Sequence, residues 1–292
     1  MANQINYVHV FDNALRQKYS RELCTAPLTT ENVTFTGAQQ ISVPYMTLSG
    51  YRDHNRQGGF NRASASTGSQ YMSLYFDRDV EFFVDSMDVD ESNQIIAATN
   101  LTNVFESEYA IPEVDAFRIS QLIQQMESFD RAHDSTELSV DNVLEVYDDY
   151  MERMDDAEVP QEGRLLFITP QVNNMLKRAV EINHALIYTD PSQAVNRVIR
   201  HLDDVQVIVV PSNRMKSNYS FTNGFSPAAN AIQINMILVH PKSVIAVNKH
   251  SYIKLWPPGT HTQGDGYLYQ NRQYSGLFLI EKRLNGLRIN AG

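Results

Sequence analysis

Between Asp77 and Glu158 the chain carries twenty-three carboxylates against four arginines and contains no lysine, a local net charge of −19. The rest of the chain sums to +9, within an overall −10. A division this large gives the molecule an acidic part and basic parts that attract one another between copies, and its acidic face repels nucleic acid. The block opens with FDRDVEFFVDSMDVDESN, Phe76 to Asn93. Here Phe76, Val80, Phe82 and Val84 interleave with Asp77, Asp79, Glu81 and Asp85. Strand periodicity puts the two sets on opposite faces, one buried and one solvated or paired with cations.

Helical patterns fill the rest of the block. Residues from about Ser92 to Glu108 form one. A second begins at Pro112, with Glu113 and Asp115 in its first turn, where the helix dipole favours acids. Its stripe of Ile119, Leu122, Ile123, Met126 and Phe129 faces a core. A third places Val140, Val143, Leu144, Tyr147, Met151 and Met154 on one face and a dense acidic surface opposite. The turn VPQEG, Val159 to Gly163, ends the region.

Upstream, Val8, Phe11, Leu15 and Tyr19 mark a weak amphipathic helix, followed by the extended LTTENVTFTGAQQISVPYM. An arm with so little core of its own leans on something else, such as a neighbouring subunit. Strand-like runs at Ile41 to Tyr51 and Gln70 to Val84 flank YRDHNRQGGFNRASASTGSQ. They predict a long two-stranded hairpin with a Gly-, Ser- and Arg-rich tip. Such a ribbon is marginal alone in water, so a projecting one needs a partner surface.

Beyond Glu158, Lys and Arg outnumber acids by fourteen to seven. The segment reads as an α/β module. RLLFIT (Arg164 to Thr169), VQVIVVP (Val205 to Pro211) and INMILVHP (Ile234 to Pro241) are continuous apolar strands, and Thr169–Pro170 starts a helix. After the structure-breaking PPGTHTQGDG, the strand YLYQNRQYSGLFLIEKR is expected to rejoin the acidic region, with Asn285–Gly286 as a turn. The class is α+β.

Motifs for catalysis are missing. There is no P-loop, GxGxxG, GxSxG or HExxH. The run at Met87 to Ser92 resembles part of a calcium loop but lacks its glycine and distal glutamate. The eight histidines show no metal-ligand spacing, and Asp148–Asp149 and Asp155–Asp156 read as solvated helix faces. Gly58–Gly59 with Arg56 and Arg62 fits an arginine-bearing hairpin tip better than an anion cradle, since no helix follows. The single cysteine, Cys24, excludes an internal disulfide framework and reads as a small buried hydrophobe. The N-terminal MANQINYVHV is not a signal peptide, and no run is long enough to span a bilayer. No enzyme, cofactor or metal site is expected.

Five segments in order resemble the major capsid proteins of tailed bacteriophages, the Hong Kong ninety-seven type. They are FDRDVEFFVDSMDVDESN, IPEVDAFRISQL, GRLLFITPQVNNMLKRA, INMILVHPKSVIAV and YLYQNRQYSGLFLIEKRLNGLRI. The resemblance implies an N-terminal arm (1–38), an extended hairpin loop (39–76) and a peripheral domain with a long spine helix (77–160). An axial α/β domain (161–262) and closing strands of the peripheral domain (263–292) complete it. It implies a virion protein that forms hexamers and pentamers of itself around double-stranded DNA without sequence-specific binding. A separate scaffolding protein, a portal and decoration proteins are the implied partners. Assembly is expected in the host cytoplasm, without a membrane. Since little sequence precedes the hairpin, no built-in scaffolding domain is expected.

In such shells the hairpin of each subunit lies over the next. The residues expected at this contact are Arg52, Arg56 and Arg62 at the tip and Asp77, Asp79, Glu81 and Asp85 as landing sites. The founding member welds its shell through a lysine on that hairpin. Here no lysine occurs between Lys18 and Lys177, so non-covalent contacts are expected. The acidic helices are expected to face the shell interior and repel packed DNA. Alternative readings are an encapsulin-like nanocompartment shell, a phage tail or neck protein, and a soluble enzyme holding a divalent metal at Asp85, Asp88 or Asp90.

Overall fold

Short apolar runs with no polar alternation fit strands covered on both sides, and the chain places them at the centre of its larger sheet. The computed structural model describes residues 22–30, 35, 40–54, 61–87, 103–179 and 198–292. The expected helix around Val8 to Tyr19, and most of that expected from Ser92, lie outside them.

The described strands are β1 (Gln40–Leu48), β2 (Ala65–Ser73), β3 (Phe76–Asp85), β4 (Leu165–Ile168), β5 (His201–Leu202) and β6 (Val205–Val209). There follow β7 (Tyr219–Ser220), β8 (Ser226–Pro227), β9 (Ile234–Val239), β10 (Val244–Trp256), β11 (Gly266–Leu279) and β12 (Leu287–Ala291). The α-helices are α1 (Ile111–Ser128), α2 (Val143–Asp156) and α3 (Pro170–Arg178).

Five strands form one sheet in the order β12-β9-β4-β6-β5, with β4 parallel to β6 and antiparallel to β9. Alternate residues of its central strands face opposite sides. Leu165, Phe167, Ile237 and Val239 pack with Ile119, Leu122, Ile123 and Met126 of α1. Leu166, Ile168, Met236 and Leu238 pack with Val143, Tyr147, Tyr150 and Met154 of α2 and with Val172 and Leu176 of α3. Each Leu, Ile or Phe so covered contributes about 1.5–3 kcal/mol. The start of α3 is set as the sequence predicts: Val172 N donates to Thr169 Oγ1 (3.3 Å), and Pro170 occupies the first turn.

A second sheet has the order β10-β11-β3, all antiparallel. The burial pattern of β3 is the expected alternation, with Asp77, Asp79, Glu81 and Asp85 exposed. One expectation changes. The run Gln70 to Val84 is not one strand but breaks at Leu74–Tyr75, so that β2 pairs with β1 while β3 pairs with β11. Leu74 is buried in the cluster of Ile41, Met72, Ile245, Val247 and Phe278 that roots the hairpin, and its carbonyl accepts from the Tyr274 hydroxyl (3.0 Å). The final segment also divides. Strand β11 rejoins β3 as expected, whereas β12 adds to the five-stranded sheet beside β9. Gly286 makes that turn possible, because a Cβ there would stand 2.1 Å from Ser243 Oγ.

Asp115, expected only as a first-turn acid favoured by the helix dipole, is fully buried. Its Oδ2 accepts from Arg214 (3.0 Å) and from Cys24 N (3.1 Å). Its Oδ1 accepts from Thr25 N (2.9 Å) and Thr25 Oγ1 (2.8 Å). One turn further on, Arg118 donates to Thr25 O (3.1 Å) and Thr29 Oγ1 (3.0 Å). The carboxylate thus binds the segment around Cys24, α1 and the loop after β6 into one unit. Removing one partner of a buried pair leaves the other charge uncompensated, at a cost of about 3–5 kcal/mol. Asp115→Ala is expected to lower the urea-unfolding free energy of the purified subunit by about that amount. A loss below about 1 kcal/mol, the value of an exposed pair, would contradict this role.

Candidate assembly surfaces

The hairpin β1–β2 has two unlike faces. Strand register places Ile41, Val43 and Tyr45 opposite Met72, Gln70 and Gly68. This face turns toward the body of the molecule at its base, where Ile41 and Met72 are buried. Lys282 lies over the Tyr45 ring (4.8 Å) and donates to Thr47 Oγ1 (3.3 Å). Gly68 lets that ring cross the ribbon, since a Cβ there would meet it at 2.6 Å. The other face carries Ser42, Pro44, Met46 and Leu48 opposite Tyr71, Ser69, Thr67 and Ala65, without a charge. Met46, Leu48 and Tyr71 are 63%, 65% and 66% exposed. Large apolar groups are thus left in water on a thin ribbon.

At the tip, Arg52 and Arg62 are exposed beside a fully exposed Tyr51. Asn61 Nδ2 donates to Asp53 O (2.7 Å) and Ser49 N to Ser64 O (3.0 Å), which closes the neck of the loop. Arg56 lies outside the described residues. Among those residues no ion pair joins Arg52 or Arg62 to β3 of the same chain.

The four β3 carboxylates share the open face of the three-stranded sheet but differ in engagement. Arg272 grips Asp77 with two bonds, Nε to Oδ1 (3.0 Å) and Nη2 to Oδ2 (2.5 Å). Hydrogen bonding from this guanidinium holds the Asp77 carboxyl below the usual carboxylate range. Both side chains are about half exposed, so the pair adds little stability. Gln270 Nε2 donates to Glu81 Oε2 (2.6 Å), and Met87 N donates to Asp85 Oδ1 (2.9 Å). Asp79 makes no hydrogen bond among the described residues. Across the same face, β10 brings His250, Tyr252 and Lys254 into line with these acids, Lys254 lying 3.5 Å from the Trp256 ring centroid. The face therefore runs from an acidic edge to a basic one.

Asp77 is largely satisfied within its own subunit by Arg272, whereas Asp79, Glu81 and Asp85 have no ion pair among the described residues. Sequence reasoning missed the apolar hairpin face. Its signal was the period-two spacing of Pro44, Met46 and Leu48.

Among the described residues no group of three or more His, Cys, Asp or Glu is arranged to hold a metal ion, and no helix is long and apolar enough to cross a membrane. Asp88 and Asp90 lie outside them.

No family model matches the chain, and no curated protein does. Solved structures do. The mature capsid of bacteriophage PhiM1 matches with a TM-score of 0.71 and 10% identity, over 97% of this chain and 91% of that one. The capsid of cyanophage P-SCSP1u matches at 0.63 and 13% identity, over 98% and 92%. That of Myoviridae phage XM1 matches at 0.61 and 12% identity, over 98% and 96%. Across nearly its whole length, the chain has the tailed-phage capsid fold.

Proposed function

We propose that this chain is the major capsid protein of a tailed bacteriophage, and that it assembles through hexamers and pentamers into the icosahedral head around a double-stranded DNA genome. The observation that carries this reading is the hairpin: rooted in its own core, uncovered and apolar along one face, tipped with arginines, on a subunit of capsid fold. A two-stranded ribbon is marginal alone, and a neighbouring copy supplies the missing cover. The apolar face gives the contact its affinity. Arg52, Arg56 and Arg62 meeting Asp79, Glu81 and Asp85 of the neighbour give it register, at under about 1 kcal/mol per exposed pair but repeated through the shell.

In this reading the three-stranded sheet and α1 form the peripheral part and the five-stranded sheet with α3 the axial part, while α2, expected in the peripheral domain, packs on that axial sheet. The protein acts as a building block without catalysis. A scaffolding protein, a portal and decoration proteins are its partners during assembly in the host cytoplasm. The acidic helices face inward and keep packed DNA from adhering. Likeness to three phage capsids over nearly the full chain favours a phage head over a nanocompartment.

Overexpressed protein is expected to sediment partly as many-copy particles; wholly monomeric protein at high concentration, with and without its scaffold, would overturn the reading. Met46→Asp with Leu48→Asp, both on the exposed hairpin face, should shift subunit stability by less than about 0.5 kcal/mol yet abolish particle formation. Unchanged yield would remove the hairpin from the contact. Reversing Arg52, Arg56 and Arg62 to Glu should lower particle yield and alter its salt sensitivity; the tip has no docking role if neither changes. Since the hairpin has no lysine, denaturing electrophoresis of mature particles should give one monomer band, and a covalent ladder would refute a non-covalent shell.

A further inference from the structure

The stem of the hairpin rests on a short 3₁₀ segment, Glu281–Gly286, which carries the chain from β11 to β12 and so from one sheet to the other. That segment is firmly held. His240 N donates to Gly286 O (2.8 Å), Ile280 N to Ser243 O (3.0 Å) and Arg283 Nη1 to Lys242 O (2.9 Å). Two side chains tie the hairpin to it. Gln70 forms a two-point amide bridge, its Nε2 donating to Leu279 O (3.2 Å) and its Oε1 accepting from Glu281 N (3.2 Å). Further out along the ribbon, Lys282 lies 4.8 Å from the Tyr45 ring centroid and donates to Thr47 Oγ1 (3.3 Å). Strand register puts Gln70, Tyr45 and Thr47 on one face, so both ties pull the same side of the ribbon.

The partners of Lys282 are telling. In a chain of net charge −10, this exposed lysine forms no ion pair with a carboxylate among the described residues. It reaches instead for a ring face and a hydroxyl, both on the hairpin, and the ring attracts a cation through its quadrupole. Such exposed contacts are weak and add little to folding, which the buried root of Ile41, Met72 and Leu74 already secures. What they fix is direction. Nine residues of strand span about 30 Å, so a swing of about 10° at the root carries the far end through about 5 Å, roughly one strand spacing. That displacement takes the arginine-bearing tip out of register with any fixed target.

We propose that Lys282 and Gln70 are positioning residues for assembly: they set the angle at which the hairpin leaves its own subunit, and through it the direction in which the next copy is captured. The hydrophobic root acts as a pivot, and the two ties on one face hold the ribbon at one setting of that pivot. Because their base also bonds to the connection between β9 and β10, the setting is referred to both sheets at once. The inference rests on the capsid reading for its neighbouring copies. It adds to that reading a pair of residues that touch no neighbour and act through the hairpin alone.

The test compares the full chain with a form carrying Lys282→Met and Gln70→Met. In the dispersed subunit, spin labels at Ala65→Cys and Glu152→Cys, both exposed positions, are placed in a Cys24→Ser background and their separation is measured by pulsed electron resonance. The intact ties should give one narrow distance distribution. Their loss should broaden or shift it by about 5 Å, with the urea-unfolding midpoint unchanged. An unchanged distribution would overturn the proposal. Without the labels, the altered chain should form open or unevenly sized particles where the unaltered chain forms closed ones, and Lys282→Arg, which keeps a cation over the ring, should preserve the normal outcome. Uniform shells of unaltered diameter from the Met form would overturn the proposal even if the distances changed. The distance is read whether or not shells form, so absence of shells from the unaltered chain counts against the capsid reading alone. Should the double change fail to fold, Lys282→Met alone is read in the same way.

Discussion

The buried carboxylate of Asp115 holds together pieces of chain that are far apart in sequence. It meets Arg214, ninety-nine positions away, and the backbone of Cys24 and Thr25, about ninety positions in the other direction. Desolvating a charge is costly, and a buried pair is tolerated only when its remaining lone pairs are satisfied. Here two charges, two backbone amides and a hydroxyl close the network around α1. Once α1 is fixed, both sheets have a wall to pack on. Its apolar stripe covers the five-stranded sheet, and Gln125 exchanges hydrogen bonds with the backbone of β11 at Leu277 and Leu279. The position of β11 then sets β3 and the root of the hairpin.

From that root outward the energetics change. Ile41, Met72 and Leu74 are buried, while Met46, Leu48 and Tyr71 on the same ribbon are mostly in water. The subunit is internally satisfied at its centre and unsatisfied at its margins. Those margins are the exposed apolar residues of the hairpin and the β3 carboxylates. In the proposed shell of many copies, a neighbour would resolve each. No single contact then needs to be strong, because closure multiplies weak ones.

Much of this was legible in the sequence because period and composition act locally. The alternation from Phe76 to Asp85 gave β3 its wet face, and the unbroken apolar runs at Leu165 and Ile234 gave the strands covered on both sides. The hairpin was visible from its tip residues. What escaped depended on distant partners. Asp115 looks like any first-turn acid until Arg214 is brought to it. The break at Leu74 is set by two different strands competing for one run, and β12 was misplaced because nothing in LRINA names its neighbour. That Met46 and Leu48 stay in water also escaped, because a lone sequence does not show which apolar residues of a ribbon its own body covers.

The central claim is that this subunit is made to be completed by its own copies in a closed shell. Electron microscopy of negatively stained protein, purified after expression with and without its scaffold, tests that most directly. Closed icosahedral shells of uniform diameter are the expected result; tubes, rings or dispersed subunits under all conditions would contradict it.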